Sequence, residues 1–170
     1  MNITGSYFWP MVVMGFVIAL IAGLIAFRRE QPRRSLLIPV ILTVIAAASW
    51  HWPLGAANNF AASVDSSARR ALDYYEMTKI EGHLHRNPLS RTLTLSGPAD
   101  EFQHSELVRL LSQLPGVRNA TWSAKETGLP LIIEGLLANL AGFLLGLFLA
   151  YLVELRRRYN AQWKIGRAHV

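Results

Sequence analysis

Three long apolar stretches divide the chain. The first lies within 7–27 and holds no charge over Phe8–Phe27. Its twenty residues suffice, at about 1.5 Å each, to cross a hydrocarbon core of about 30 Å. Pro10 falls in its first turn, where a missing N–H does least harm. The second stretch, 36–54, is interrupted by Pro39, Thr43, Ser49 and His51 and closes on Trp50 and Trp52, as an interfacial aromatic belt does. The third, 129–153, carries Glu134 and Asn139 as its strongly polar members. Each stretch predicts a transmembrane helix.

Between the second and third stretches the period changes. Phe60, Val64, Ala68, Ala71, Leu72 and Tyr75 recur at three- and four-residue spacing, which predicts an amphipathic helix. Ile80, Gly82 and Leu84 then alternate with Glu81, His83 and His85, a half-buried strand over 79–86. Asn87-Pro88 turns the chain, and Leu89, Arg91, Leu93 and Leu95 alternate with Ser90, Thr92 and Thr94 in a second strand. Asp100 and Gln103 have the spacing of a capping box, followed by Leu107, Leu110, Leu111 and Leu114 on one helical face. Pro115-Gly116 ends that helix, and 117–123 reads as a third strand. The expected fold is an α+β membrane protein: three transmembrane helices with a small αββαβ domain inserted over 59–124.

Length and composition narrow the possibilities. Of 170 residues, about 70 lie between the second and third apolar stretches, enough for a small core and no deep cleft. There is no cysteine, so disulfides and thiolate ligands are excluded. The net charge of +6 suggests nucleic acid until its distribution is read. Four arginines crowd 28–35, and Arg156, Arg157, Arg158 and Lys164 lie in the tail 154–170. The segment 55–128 balances eight Lys/Arg with eight Asp/Glu. The positive-inside rule therefore puts the N-terminus outside, 28–35 in the cytoplasm, 55–128 outside and the C-terminus inside. The basic excess is a topology feature, and nucleic acid is not an expected partner. With no Lys or Arg before Arg28, the first stretch lacks the basic region of a signal peptide. Residues 165–170 resemble the translation of a sequencing adapter and are left out of the fold expectation.

The insert resembles the BON domain, a small module of bacterial envelope proteins. The resemblance rests on Leu93-Thr94-Leu95-Ser96-Gly97, on Glu106-Leu107-Val108-Arg109-Leu110-Leu111, and on Leu114-Pro115-Gly116-Val117. It departs from the family pattern at Pro98, Ala120 and Trp122. The resemblance implies association with phospholipid or a membrane surface; together with the charge-based topology, the expectation is a bacterial inner-membrane protein with a periplasmic domain. No ligand assignment carries over.

The candidate chemistry is sparse. No nucleophile elbow, phosphate loop or HExxH is present, and a non-enzymatic protein without a cofactor is expected. His83 and His85 share a strand face with Glu81, but a zinc site asks for further ligands, so no metal is expected. Arg69 and Arg70 are candidates for lipid headgroup contact. Matched depths suggest that Glu134 meets Ser49 or His51, and Asn139 meets Thr43, as polar contacts between the second and third stretches. Gly15, Ala19 and Gly23 form one small-residue stripe, and Ala138, Gly142, Gly146 and Ala150 another. The expected pairing is Gly15 with Ala138, Ala19 with Gly142 and Gly23 with Gly146, in parallel helices; homo-oligomerisation through the third stretch is the rival use. The expected function is an envelope protein whose domain binds lipid or a protein partner. The alternative is an accessory subunit of a transporter or channel using Glu134 and Asn139.

Overall fold

A computed structural model of the chain describes residues 3–28, 32–125 and 128–166. The elements are α1 (Ile3–Ala26), α2 (Pro32–His51), α3 (Ala56–Tyr74), β1 (Glu81–Arg86), β2 (Leu89–Ser96), α4 (Glu101–Leu111), β3 (Asn119–Thr121) and α5 (Leu131–Gly166). They form two compact units: Met1–Phe8 with Trp50–Gly135, and Trp9–Ser49 with Leu136–Val170.

The first unit is α+β. Its sheet runs β1-β2-β3, with β1 antiparallel and β3 parallel to the central β2. The αββαβ order read from the periodicity is the observed one. From α3, Phe60, Val64, Ala68 and Leu72 are buried; Ile80, Leu84, Leu93, Leu95 and Ala120 join them from the sheet side, and Leu107 and Leu111 from α4. Each large apolar side chain so buried contributes roughly 1.5–3 kcal/mol. The chain turns from β2 at Gly97, whose φ of 128° and close approach to the Lys79 carbonyl admit no side chain.

Two features differ from the expected domain. The strand β2 is buried on both faces, with Leu93 and Leu95 on one and Ser90 and Thr92 on the other. The cause is a return of the chain: Pro130 bridges to Ser90, and Gly128 packs on Thr92. The unit also reaches beyond 59–124. Tyr7, from the start of α1, is 1% exposed and its ring lies 5.6 Å from that of Phe60.

Both edge strands have a main-chain N–H taken by a helix side chain. Leu84 N–H donates to Asp65 Oδ1 of α3 at 2.9 Å, while Asp65 Oδ2 accepts from Arg86 at 2.8 Å. Ala120 N–H donates to Ser112 Oγ, just past α4, at 3.1 Å.

The capping box at α4 is complete. Gln103 N–H donates to Asp100 Oδ1 at 2.7 Å, and Asp100 N–H donates to Gln103 Oε1 at 3.1 Å. Asp100→Ala is expected to lower the unfolding free energy by about 1 kcal/mol, and Asp100→Ser by far less. Chemical unfolding of the full chain followed by circular dichroism checks this; equal losses in the two variants would remove the cap as the cause.

The second unit is helical. The helices α1 and, over Leu131–Ala161, α5 are each long and apolar enough to cross a membrane. The helix α2 qualifies only when counted with α3 as one broken span, because its apolar part, Leu36–His51, is short. Both long helices overrun the expected limits: α1 begins at Ile3, and α5 continues past Val153 to Gly166. That extension is supported by Glu154, which pairs with Arg157 at 3.7 Å and Arg158 at 3.2 Å, three and four residues on. Arg158 also donates to the Phe27 carbonyl at 3.0 Å, one residue past the end of α1. Of the adapter-like segment, 167–170 lies outside the described residues.

Candidate functional site

An arginine on a strand among inward-facing leucines needs a carboxylate, and a carboxylate in an apolar stretch needs a cation. Arg91 and Glu134 meet each other's need. Arg91 Nη1 donates to Glu134 Oε2 at 3.1 Å, and Arg91 Nε donates to the Gly116 carbonyl at 2.9 Å. The guanidinium carbon of Arg91 also lies 5.9 Å from the centre of the Phe8 ring. From the residue before β3, Arg118 Nη1 donates to the other oxygen, Glu134 Oε1, also at 3.1 Å. Its backbone N–H is tied to the Arg91 carbonyl at 2.8 Å.

The local sequence explains the placement. Gly116 has a φ of 99° and lies where a Cβ would strike Val64, so the turn into β3 closes tightly and offers its carbonyl to Arg91. Glu134 stands in the first turn of α5, where the helix dipole favours a negative charge. Its side chain is 13% exposed, against 22% for Arg91 and 59% for Arg118. A cleft of about 530 Å³ opens on these three groups and is walled by Thr92, Asn119, Gly128 and Leu129.

Glu134 is therefore an anchor for two arginines of the α+β unit and does not meet Ser49 or His51. The expectation failed because depth counted along two apolar stretches leaves out the sheet that follows one and precedes the other. His51 Nδ1 instead pairs with the Tyr7 hydroxyl at 2.5 Å, and Trp50 Nε1 donates to the Tyr7 carbonyl at 3.2 Å. Ser49 is half-buried. Thr43 Oγ1 donates within its own helix to the Pro39 carbonyl at 2.7 Å, and so does not pair with Asn139. Asn139 is 1% exposed, and its Nδ2 has no hydrogen-bond partner among the described residues.

The small-residue stripes of α1 and α5 meet, one turn away from the expected register. A Cβ on Gly15 would strike the Asn139 carbonyl, one on Gly142 the Val12 carbonyl, and one on Gly146 the Phe16 carbonyl and, at 2.9 Å, Ala19. A Cβ on Gly23 would lie 2.6 Å from that of Ala150. Ala19 thus opposes Gly146 rather than Gly142, Gly23 opposes Ala150 rather than Gly146, and Ala138 is half-buried beside the seam. The shift follows from the helix ends: counted from Ile3 and Leu131, Gly15 is the thirteenth residue of α1 and Ala138 only the eighth of α5, so the two do not lie level.

The remaining candidates are locally occupied. Arg69 pairs with Asp73 at 3.1 Å, and Arg70 donates to Ser67 Oγ at 2.9 Å. His83 lies 3.6 Å from Asp65 and 3.8 Å from Glu81, while His85 contacts the Asn87 carbonyl at 2.8 Å. Among the described residues, no group of three or more His, Cys, Asp or Glu is placed to hold a metal ion.

Comparison with family models, with curated proteins and with solved structures gives no match.

Proposed function

We propose that this chain is a non-enzymatic protein of the bacterial inner membrane, anchored by three spans, whose BON-like periplasmic domain works against the membrane surface. The observation that carries the reading is the bridge from Arg91 and Arg118 to Glu134. The bridge lies within the α+β unit, and its carboxylate comes from the first turn of a helix long and apolar enough to span a bilayer. Trp52 and Leu54, each 63% exposed, and Leu129, 48% exposed, lie at the end of the second apolar stretch and the start of the third, as residues that rest in an interface do. The mixed sheet with β2 at its centre supports the BON-like assignment. The balanced charge of 55–128 between two basic segments supports the orientation. Commitment of Glu134 to two arginines counts against an accessory transporter subunit, for which it would need a free carboxylate in the membrane.

Alkaline phosphatase fused after Ser123 is expected to be active, and after Arg34 inactive; the reverse would overturn the topology. A photo-crosslinking residue at Leu129 is expected to give lipid adducts in native membranes. A discrete protein adduct there would instead assign a protein partner.

A further inference from the structure

We propose that the cleft beside Glu134 binds a phosphate group, with Arg118 as the residue that grips it and Glu134 as an internal anion that keeps the place until the ligand arrives. The inference rests on the membrane-surface reading for the source of the phosphate, and names the residues that reading leaves open.

Three observations carry it. The first is charge. Two guanidiniums share one carboxylate, so among the described residues the cluster is left with one positive charge. The second is the unequal commitment of the two arginines. Arg91 is fixed through Nε to Gly116, through Nη1 to Glu134, and by the Phe8 ring. Arg118 gives Nη1 to Glu134, and its side chain is 59% exposed; among the described residues its Nε and Nη2 have no partner. A guanidinium presents its donors in a planar fork that matches two phosphate oxygens, and Arg118 spends one of those donors on Glu134. The third is room. The cleft of about 530 Å³ is lined by the polar Thr92 and Asn119 as well as the apolar Leu129. A lipid phosphate with its glycerol has both characters, and Glu134 lies at the start of the apolar helix where such groups are found. A structural ion pair would need neither the surplus charge nor the cleft.

The arrangement makes the ligand compete with Glu134 for Arg118 while Arg91 holds the carboxylate. This gives opposite signs to two substitutions. Arg118→Ala removes the grip, and Glu134→Gln removes the competitor.

The full chain, purified in a neutral maltoside detergent, is titrated with phosphatidylglycerol and, separately, with a diacylglycerol glucoside that lacks phosphate, with bound lipid counted by native mass spectrometry. Inorganic phosphate is titrated by calorimetry. Phosphatidylglycerol is expected to bind in preference to the glucoside. Arg118→Ala is expected to weaken it about tenfold, the equivalent of losing one charged hydrogen-bonding group. Glu134→Gln is expected to tighten it, and Arg118→Lys to fall between wild type and Arg118→Ala. The same series is run with Glu126→Gln, since that carboxylate, two residues before Gly128 in the sequence, lies outside the described residues. Inorganic phosphate binding with the same dependence on Arg118, without a preference among the lipids, supports the site with free phosphate as its ligand. Lipid binding that ignores both Arg118→Ala and Glu134→Gln overturns the site and leaves the membrane-surface reading standing. Weaker binding in a folded Glu134→Gln variant overturns the place-holding role.

Discussion

Replacing Gly142 with leucine is expected to lower the stability of the full chain in detergent by about 3 kcal/mol, the upper end of the usual range for overpacking. The obstacle is the reason for that magnitude. A side chain at this position meets the carbonyl, the carbonyl carbon and the Cα of Val12. A flexible side chain can turn away, but helix backbone cannot, so α1 and α5 must separate. In lipid or detergent the association of such helices depends on close backbone contact, because burying apolar surface gains little there. Separation also draws Gly15 from Asn139 and Gly146 from Phe16, so the loss spreads along the seam. Leu144→Ala serves as control, since that side chain is 57% exposed, and is expected to change stability by no more than about 0.5 kcal/mol. Unfolding by titration with a denaturing detergent measures both. Equal midpoints for the two variants would show that the seam does not hold the helices together.

Truncating Glu134 to alanine is expected to cost about 2–3 kcal/mol. Breaking a buried ion pair by removing one partner costs about 3–5 kcal/mol, because a charge is left without its counter-ion. The lower figure applies because Arg118, 59% exposed, recovers its hydration, whereas Arg91, 22% exposed, recovers only part. Arg91 would then face Arg118 with no anion between them. Arg118→Ala leaves the Arg91–Glu134 pair intact and is expected to cost less than about 1 kcal/mol. The inequality is the test. Chemical unfolding that ranks Arg118→Ala equal to or worse than Glu134→Ala would show that Arg118, not the carboxylate, is the keystone.

What could be read from the chain depended on how far apart the interacting residues lie. The cap of α4 was legible because Asp100 and Gln103 satisfy each other across one helical turn. The alternation in 79–86 was legible because one face of β1 is buried and the other solvated. The second strand misled, since its polar side, Ser90 and Thr92, is covered by 128–130, and no local pattern announces a segment that returns from so far along the chain. The seam was legible as two stripes of small residues, and its register was not. Ile3-Thr4-Gly5-Ser6 reads as a polar lead-in yet forms the first turn of α1, which displaces the depth count along α1 by a turn. The candidate site was half legible. Glu134 stood out in its apolar stretch, but Arg91 was read as one of an alternating set and Arg118 only as part of the strand expected over 117–123. An arginine at an inward strand position was the overlooked sign, since such a residue requires an anion from elsewhere in the chain.

The edges of the small sheet bear on how copies of the chain can meet. Chains confined to a bilayer meet far more often than chains free in three dimensions, and a sheet with open edges would turn such meetings into growing ribbons. Here Asp65 occupies the Leu84 N–H on one edge, and Ser112 occupies the Ala120 N–H on the other. A neighbouring strand would have to displace a charged acceptor already shared with Arg86, and on the far side it would find a strand of three residues. A second strand would thus find one main-chain N–H of each edge already engaged.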